Sequence, residues 1–229
     1  MRNDNNPREM LRVLRSKEQA KESYDKISRF YDFFAGAFER KYADRALAQL
    51  NVKDGEVILE IGFGTGFCLE QIAEQVGETG KAYGIDISSG MLELTKRRLR
   101  KAGLSPRVEL CCKDAVELPY EDAKFNAVFI SFALELFDTP EIPRVLFEIK
   151  RVLKIGSRLG VVSMSKENGE STLLKLYEWA HNKFPKYADC RPIYVEQSIK
   201  DAGFEIEHKE QIKLFGLPGE IVIGMKEKV

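Results

Sequence analysis

The sequence predicts an α/β fold. It is a doubly wound, mostly parallel seven-stranded sheet with an antiparallel C-terminal edge and an N-terminal helical cap. Three observations predict it. From residue 56 onward, apolar runs of strand length alternate with amphipathic stretches of helix length, the spacing of parallel strands joined by crossover helices. The first run ends in three glycines on alternate positions, Gly62-Phe63-Gly64-Thr65-Gly66, a tight strand-to-helix turn. The last two runs are joined through Gly216 and Pro218-Gly219. They are too close for a crossover, so they pair antiparallel.

In chain order, residues 1–9 are polar and read as a tail. Residues 10–50 read as helical, with Ile27, Phe30, Phe34, Phe38, Leu47 and Leu50 at apolar positions and Gly36 dividing two helices. Asn51 to Gly55 is a turn. Strands follow at 56–61, 81–86, 107–112, 125–131 and 157–164, with helices at 67–76, 89–102 and 141–152 between them. Residues 170–184 read as a helix with Leu173, Tyr177, Ala180 and Phe184 on one face. A short helix at 194–202 ends at Gly203, and strands at 204–213 and 220–226 close the chain. The expected division is a tail and cap over 1–50 and a main domain over 51–229, with a substrate-shaping insertion about 166–193.

At 229 residues the chain suits one sizeable domain. Its 36 basic residues balance 36 acidic ones, so no overall charge argues for nucleic acid. Cys68, Cys111, Cys112 and Cys190 form no C-x-x-C pair and adjoin no histidine. No metal site or disulfide framework is expected, and a reducing cytoplasm suits them. The longest apolar run, Phe125 to Phe137, is interrupted by Asn126, Ser131 and Glu135 and is too short to span a membrane. Arg8, Arg12, Arg15 and Lys17 beside Leu11, Val13 and Leu14 suggest a transient membrane-surface contact. The chain offers no reading of its oligomeric state.

The glycine turn carries the chemistry. Asp86 ends the second strand, twenty residues after Gly66. A glycine turn lets backbone approach a nucleoside, and a carboxylate at that strand end accepts ribose hydroxyls. The spacing is G-x-G-x-G, with Phe67 where the dinucleotide fingerprint has its third glycine. Glu60 precedes the turn. A carboxylate there repels a pyrophosphate but suits an ammonium group, while the helix start at Phe67 suits a carboxylate. Both charges occur on the methionine tail of S-adenosylmethionine. Asp114 and Ala115 follow the third strand and fit an adenine edge. Ser131 ends the fourth strand, on the same ligand-bearing edge. A helix N-cap is the competing role for Asp86. The basic run Lys96-Arg97-Arg98 with Arg100-Lys101 reads as a solvated helix face. His208, in a charged strand, reads as solvated too.

The motifs Leu59-Glu-Ile-Gly-Phe-Gly-Thr-Gly66, Gly84-Ile-Asp-Ile-Ser88, Asp114-Ala115 with Leu118-Pro119, and Leu153-Lys-Ile-Gly156 together resemble the class I S-adenosylmethionine-dependent methyltransferases. That family has a Rossmann-like sheet. Tyr24-Asp25 and Tyr31-Asp32, with Ser131-Phe132-Ala133-Leu134, resemble its ubiquinone/menaquinone biosynthesis branch. The resemblance implies that Gly62 and Gly64 line the methionine moiety near Glu60. It implies that Asp86 holds the ribose, Ile87 packs on adenine, and Asp114 and Ala115 read its edge. Ser131 would lie near the reacting methyl, and Tyr24 and Tyr31 would close the pocket, Tyr31 on the cofactor. Glu135-Leu136-Phe137 replaces the branch's Arg-Asn-Val, which leaves the acceptor open.

The reading is therefore methyl transfer to a small apolar, quinone- or lipid-like acceptor, with Tyr24, Tyr31 and Glu135 as candidate catalytic residues. N-methylation of an amine or phospholipid headgroup is the alternative. Arsenite or thiol methylation, and a non-catalytic nucleoside-binding protein, stand behind it. Phe67 and Glu60 disfavour an NAD enzyme.

Overall fold

The computed structural model describes residues 10–13, 18–19, 36–167, 174, 177, 190–214 and 216–227. Helix α1 (Gly36–Leu50) leads into β1 (Val57–Ile61), α2 (Phe67–Gln75), β2 (Lys81–Asp86), α3 (Ser89–Ala102) and β3 (Val108–Cys112). Then come β4 (Phe125–Ser131), α4 (Ile142–Val152), β5 (Leu153–Met164), α5 (Val195–Asp201), β6 (Glu205–Leu214) and β7 (Leu217–Met225). The seven strands form one sheet in the order β3-β2-β1-β4-β5-β7-β6. The first five are parallel; β7 runs antiparallel to both β5 and β6.

Strand alternation sorts the core into two layers, because successive side chains point to opposite faces. Ile58, Ala127, Phe129 and Ile223 pack with Leu47, Leu50, Leu69, Ile72 and Leu99, which puts α1, α2 and α3 on one face. Leu59, Ile61, Val128 and Ile130 pack with Val145, Leu146, Ile149 and Ile199, which puts α4 and α5 on the other. Central strands covered on both sides read as continuous apolar runs. That is why β1 and β4 were legible without an alternating pattern. Truncating a fully buried side chain here, such as Phe129, is expected to cost about 3–5 kcal/mol.

Helix α1 packs on β4, β5, β6, β7 and α2. Ala46, Leu47 and Leu50 supply its buried stripe, at the i, i+1, i+4 spacing of one helix face. Two strand starts differ from expectation by several residues: β7 begins at Leu217 rather than at 220, and β5 begins early. β5 starts at Leu153, directly after α4, rather than at 157. Leu153 turns extended and pairs with Phe125; the register then jumps to Ala127 opposite Arg158. The intervening residues bulge, so periodicity alone hid this start.

The helix expected over 170–184 lies mostly outside the described residues. Its Leu174 is buried, and Tyr177 packs on the core and donates from its hydroxyl to the Cys190 carbonyl at 3.0 Å. Among the described residues no helix is long and apolar enough to cross a membrane.

The strand order reverses between β1 and β4: β2 and β3 lie to one side, β5 to the other. Ligands bind outside the carboxyl ends of the strands at such a switch point. The glycine turn leaves β1 there, and Ser131-Phe132-Ala133 leaves β4.

Candidate functional site

The turn after β1 is built from backbone that strongly favours glycine. Gly62, Gly64 and Gly66 all have positive φ, at 72°, 50° and 77°. A Cβ on Gly62 would lie 2.5 Å from the Ala133 Cβ, so the loops after β1 and β4 meet at a point with no room for a side chain. A Cβ on Gly64 would meet nothing within 4 Å among the described residues. Gly64 therefore presents bare backbone to open space, a cradle for a ligand.

Asp86 fastens this turn from β2. Its Oδ2 accepts from the Gly64 N–H at 2.9 Å and its Oδ1 from the Ser88 N–H at 2.8 Å. The cap of α3 is Ser88, whose Oγ accepts from the Met91 N–H at 3.1 Å, so Asp86 is not the helix cap. From α3, Thr95 donates to the Gly64 carbonyl at 2.9 Å and Arg98 to the Thr65 carbonyl at 2.8 Å. Arg98 also pairs with Glu70 at 2.9 Å. It is thus part of the turn's scaffold, contrary to the solvated face expected for the basic run. Thr95 and Arg98 were missed as site supports, although their i, i+3 spacing puts them on one helix face.

Glu60 lies under the turn and is 2% exposed. Among the described residues its Oε2 has no hydrogen-bond partner. Burial, then the nearby charge of Asp86, holds its carboxyl well above the usual range. A buried, unpartnered carboxyl oxygen is costly unless something meets it. An ammonium group would, and its charge would favour the ionised form. Cys68, in the first turn of α2, is buried and bonded to Ser131. Its thiol is pushed up by burial and then by Glu60. Glu60, Cys68 and Ser131 therefore meet where the loops after β1 and β4 converge.

The remaining candidates line the same sheet edge. Ile87 is half-buried, and its carbonyl accepts from the Cys112 thiol at 3.5 Å. Asp114 is half-buried, with Oδ1 accepting from the Val116 N–H at 3.0 Å, and Ala115 is buried. Tyr24 and Tyr31 lie outside the described residues, as do Phe30, Phe34 and His181.

The turn after β4 is held differently. Phe132 has φ 49° although it is bulky and buried. This left-handed conformation costs about 1–2 kcal/mol for a residue with a side chain. Its N–H bonds the Val162 carbonyl at 2.8 Å. Three residues on, Glu135 is fully buried. Its Oε2 accepts from the Ser163 hydroxyl at 2.8 Å and its Oε1 from the Met164 N–H at 3.4 Å. Burial pushes its pKa to about 7. Glu135 is thus enclosed and not free to swing. Arg191 is buried beside it and donates to the Phe137 carbonyl at 2.6 Å. Burial lowers the Arg191 pKa to about 10, against the opposing pull of Asp138 and Glu135.

The amino-terminal residues reach this turn. Arg12 grips Asp138 through two nitrogens at 2.6–3.0 Å, the Val13 N–H adds a bond at 3.0 Å, and Thr139 donates to the Leu11 carbonyl. Arg191 had no motif to mark it, and Arg12 was read only as part of the basic stretch suited to a membrane surface. His208 differs from expectation too: its Nε2 is buried and has no hydrogen-bond partner among the described residues.

The residues present fit a nucleoside with a zwitterionic tail. Asp86 sets a carboxylate at the strand end where a diol would sit, Gly64 brings backbone to the same edge, and among the described residues the Oε2 of Glu60 is an unmatched partner for an ammonium group.

Comparison with known proteins agrees. A family described as methyltransferase domain matches residues 58–156. The chain is 33% identical over 217 residues to a demethylmenaquinone methyltransferase of Symbiobacterium thermophilum, spanning 87% of this chain and 85% of the relative. It is 31% identical over 196 residues to the ubiquinone/menaquinone biosynthesis C-methyltransferase UbiE of Paraburkholderia phytofirmans, spanning 82% and 78%. Among solved structures, a SAM-dependent methyltransferase from Aquifex aeolicus aligns with TM-score 0.63 at 22% identity over 90% of this chain and 98% of its own. A geranyl diphosphate methyltransferase aligns with TM-score 0.67 at 14% identity over 81% and 84%. These two likenesses are of fold.

Proposed function

Because the chain belongs to the S-adenosylmethionine-dependent methyltransferases, we propose that it methylates a ring carbon of a prenylated quinol. The observation that carries the donor half is the unpartnered, buried Oε2 of Glu60 beneath the open Gly64 turn. The acceptor class rests on the relatives named for menaquinone and ubiquinone biosynthesis.

S-adenosylmethionine, when bound, supplies an electrophilic methyl on a sulfonium whose leaving group is a neutral thioether. The protein's task is then alignment and exclusion of water. In this reading Glu60 pairs with the tail ammonium, Gly62 and Gly64 line the tail, and Asp86 accepts the ribose hydroxyls. Ile87, Asp114 and Ala115 receive the adenine. Ser131 borders the reacting methyl, fixed by Cys68 behind it. Tyr31 is assigned to the cofactor and Tyr24 to the acceptor side.

Ring methylation replaces a C–H bond with a C–CH3 bond, so one proton must leave. Of the candidates, Glu135 has a pKa near neutrality. Geometry decides before pKa, however. Its carboxyl is enclosed and both oxygens are engaged. We assign it to positioning: it ties the Phe132-Ala133 turn, and hence the floor under Gly62, to the end of β5. That enclosure also counts against the amine reading, in which Glu135 would face a cation. We further assign the enzyme to the cytoplasm, meeting its acceptor transiently at the membrane surface.

The test is methyl transfer from labelled S-adenosylmethionine to a panel of prenylated naphthoquinols and benzoquinols, phospholipid amines and arsenite. Label on a quinol ring carbon supports the reading. Label confined to a headgroup amine or to arsenic overturns the acceptor.

A further inference from the structure

We infer that Glu220 is a pH-sensitive latch on the carboxyl end of β5. Protonated, it leaves Lys209 to hold Glu167 and Glu196; ionised, it competes with them for that one cation. Glu220 lies on β7, opposite Ser163 of β5, and is 1% exposed. Among the described residues neither of its oxygens has a hydrogen-bond partner, and the Lys209 Nζ lies 3.4 Å from its Oε1. Lys209, on β6, already donates to the Glu196 carboxylate of α5 at 2.6 Å and to Glu167, just past the end of β5. Glu196 also takes a bond from Lys200 at 2.6 Å.

A charge balance sets the resting state. Among the described residues the cluster holds two cations, Lys209 and Lys200, and three carboxyls, Glu167, Glu196 and Glu220. It is neutral only while one carboxyl keeps a proton. Glu167 and Glu196 are bonded to cations and partly exposed, whereas Glu220 is sealed, so the proton belongs on Glu220. Burial, then the charge of Glu167, pushes the Glu220 pKa to about 7 against the pull of Lys209. The groups gathered about Glu220 are thus Glu167 from the end of β5, Lys209 from β6 and, through Lys209, Glu196 from α5. Glu135 is joined to the same place through the Ser163 hydroxyl. If Lys209 is drawn toward an ionised Glu220, it gives up part of its hold on Glu167. Glu167 directly follows the stretch in which the Ser165 N–H bonds the Pro218 carbonyl and the Lys166 N–H the Ile193 carbonyl. That stretch also follows the Ser163 hydroxyl and Met164 N–H that fix Glu135. The latch therefore reaches the turn after β4, whatever the acceptor.

The experiment is amide hydrogen exchange of the full chain, followed by nuclear magnetic resonance from about pH 6 to about pH 8, with each rate taken relative to its intrinsic rate at that pH. In wild type, the protection of the Ser165 and Lys166 amides is expected to fall about tenfold or more relative to that of Leu59 in β1 as pH rises. In Glu220→Gln, which mimics the protonated form, the same ratio is expected to change less than about twofold. Glu167→Gln removes the charge that raises the Glu220 pKa, so the midpoint of the fall should move to lower pH. Glu135→Gln removes the other buried carboxyl that titrates in this range and is expected to keep the fall. Melting curves of each variant check folding. No fall in wild type, an equal fall in Glu220→Gln, or loss of the fall in Glu135→Gln instead overturns the latch.

Discussion

The two turns that meet at the switch point do the same job by opposite means. The turn after β1 achieves its shape with glycines, and its supports come from the next strand and helix, Asp86, Thr95 and Arg98. The turn after β4 forces Phe132 into the left-handed region and holds it from afar. Its supports are Ser163, Arg191 and Arg12. The first turn is therefore cheap and local, with open backbone facing a ligand. The second is strained and clamped by buried charge. The difference fits a division of labour: an invariant donor needs bare backbone, whereas the acceptor side is shaped by side chains drawn from the whole chain.

Breaking the contact between the turns should have the largest effect. Gly62→Ala brings both a disfavoured φ and an overlap with Ala133, and should cost about 2–4 kcal/mol of stability. Gly64→Ala meets no atom of the described residues. It should cost about 1 kcal/mol while sharply weakening S-adenosylhomocysteine. Urea unfolding and calorimetry would separate the two. Equal stability losses would mean that the loops do not touch as described.

Removing the charge beneath the first turn comes next. Glu60→Gln should weaken S-adenosylhomocysteine by roughly 1–3 kcal/mol and leave 5′-methylthioadenosine, which lacks the tail, unaffected. Equal effects on both ligands would assign Glu60 a structural role.

Beneath the second turn, Glu135 makes a pH-dependent contribution. Its folded pKa, about 7, lies above the ordinary 4.5. The folded state therefore holds a proton that the unfolded chain releases. The associated stability is full below about pH 4.5 and is lost as pH rises through 7. Glu135→Gln should remove this loss. Relative to wild type the variant should gain about 1–3 kcal/mol between pH 5 and pH 8. A difference that does not change with pH would contradict the enclosed carboxyl.

The smallest effect belongs to the clamp at the surface. The Arg12 guanidinium, bonded to Asp138, holds that carboxyl down to about 2, so the pair's contribution fades only as pH falls through the unfolded value toward 2. Exposed pairs contribute little. Asp138→Asn should lower the melting temperature slightly at neutral pH, less at high salt, and not at all near pH 2.

The same contrast explains what the sequence disclosed. Strands buried on both faces, the glycine turn, Glu60 and Asp86 were legible because each depends on neighbours within about one βαβ unit. Arg98 looked like one of five solvated cations because its partners, Thr65 and Glu70, are on another helix and turn. Glu135 read as a candidate catalytic residue because the partner that encloses it, Ser163, is 28 positions away. Arg12 and Asp138 are 126 positions apart, and the basic stretch around Arg12 gave no sign of this partner. The bulge at the start of β5 broke the periodicity that marks a strand.

The account turns on the unpartnered carboxyl of Glu60 awaiting the ammonium group of the donor. Calorimetric titration of wild type with S-adenosylhomocysteine near neutral pH, in buffers of different ionisation enthalpy, tests this most directly. Burial raises the Glu60 pKa in the free protein, and an incoming ammonium lowers it again, so binding should release a fraction of a proton. Glu60→Gln should abolish that release. Binding with no proton release, or with the same release in the variant, would contradict the account.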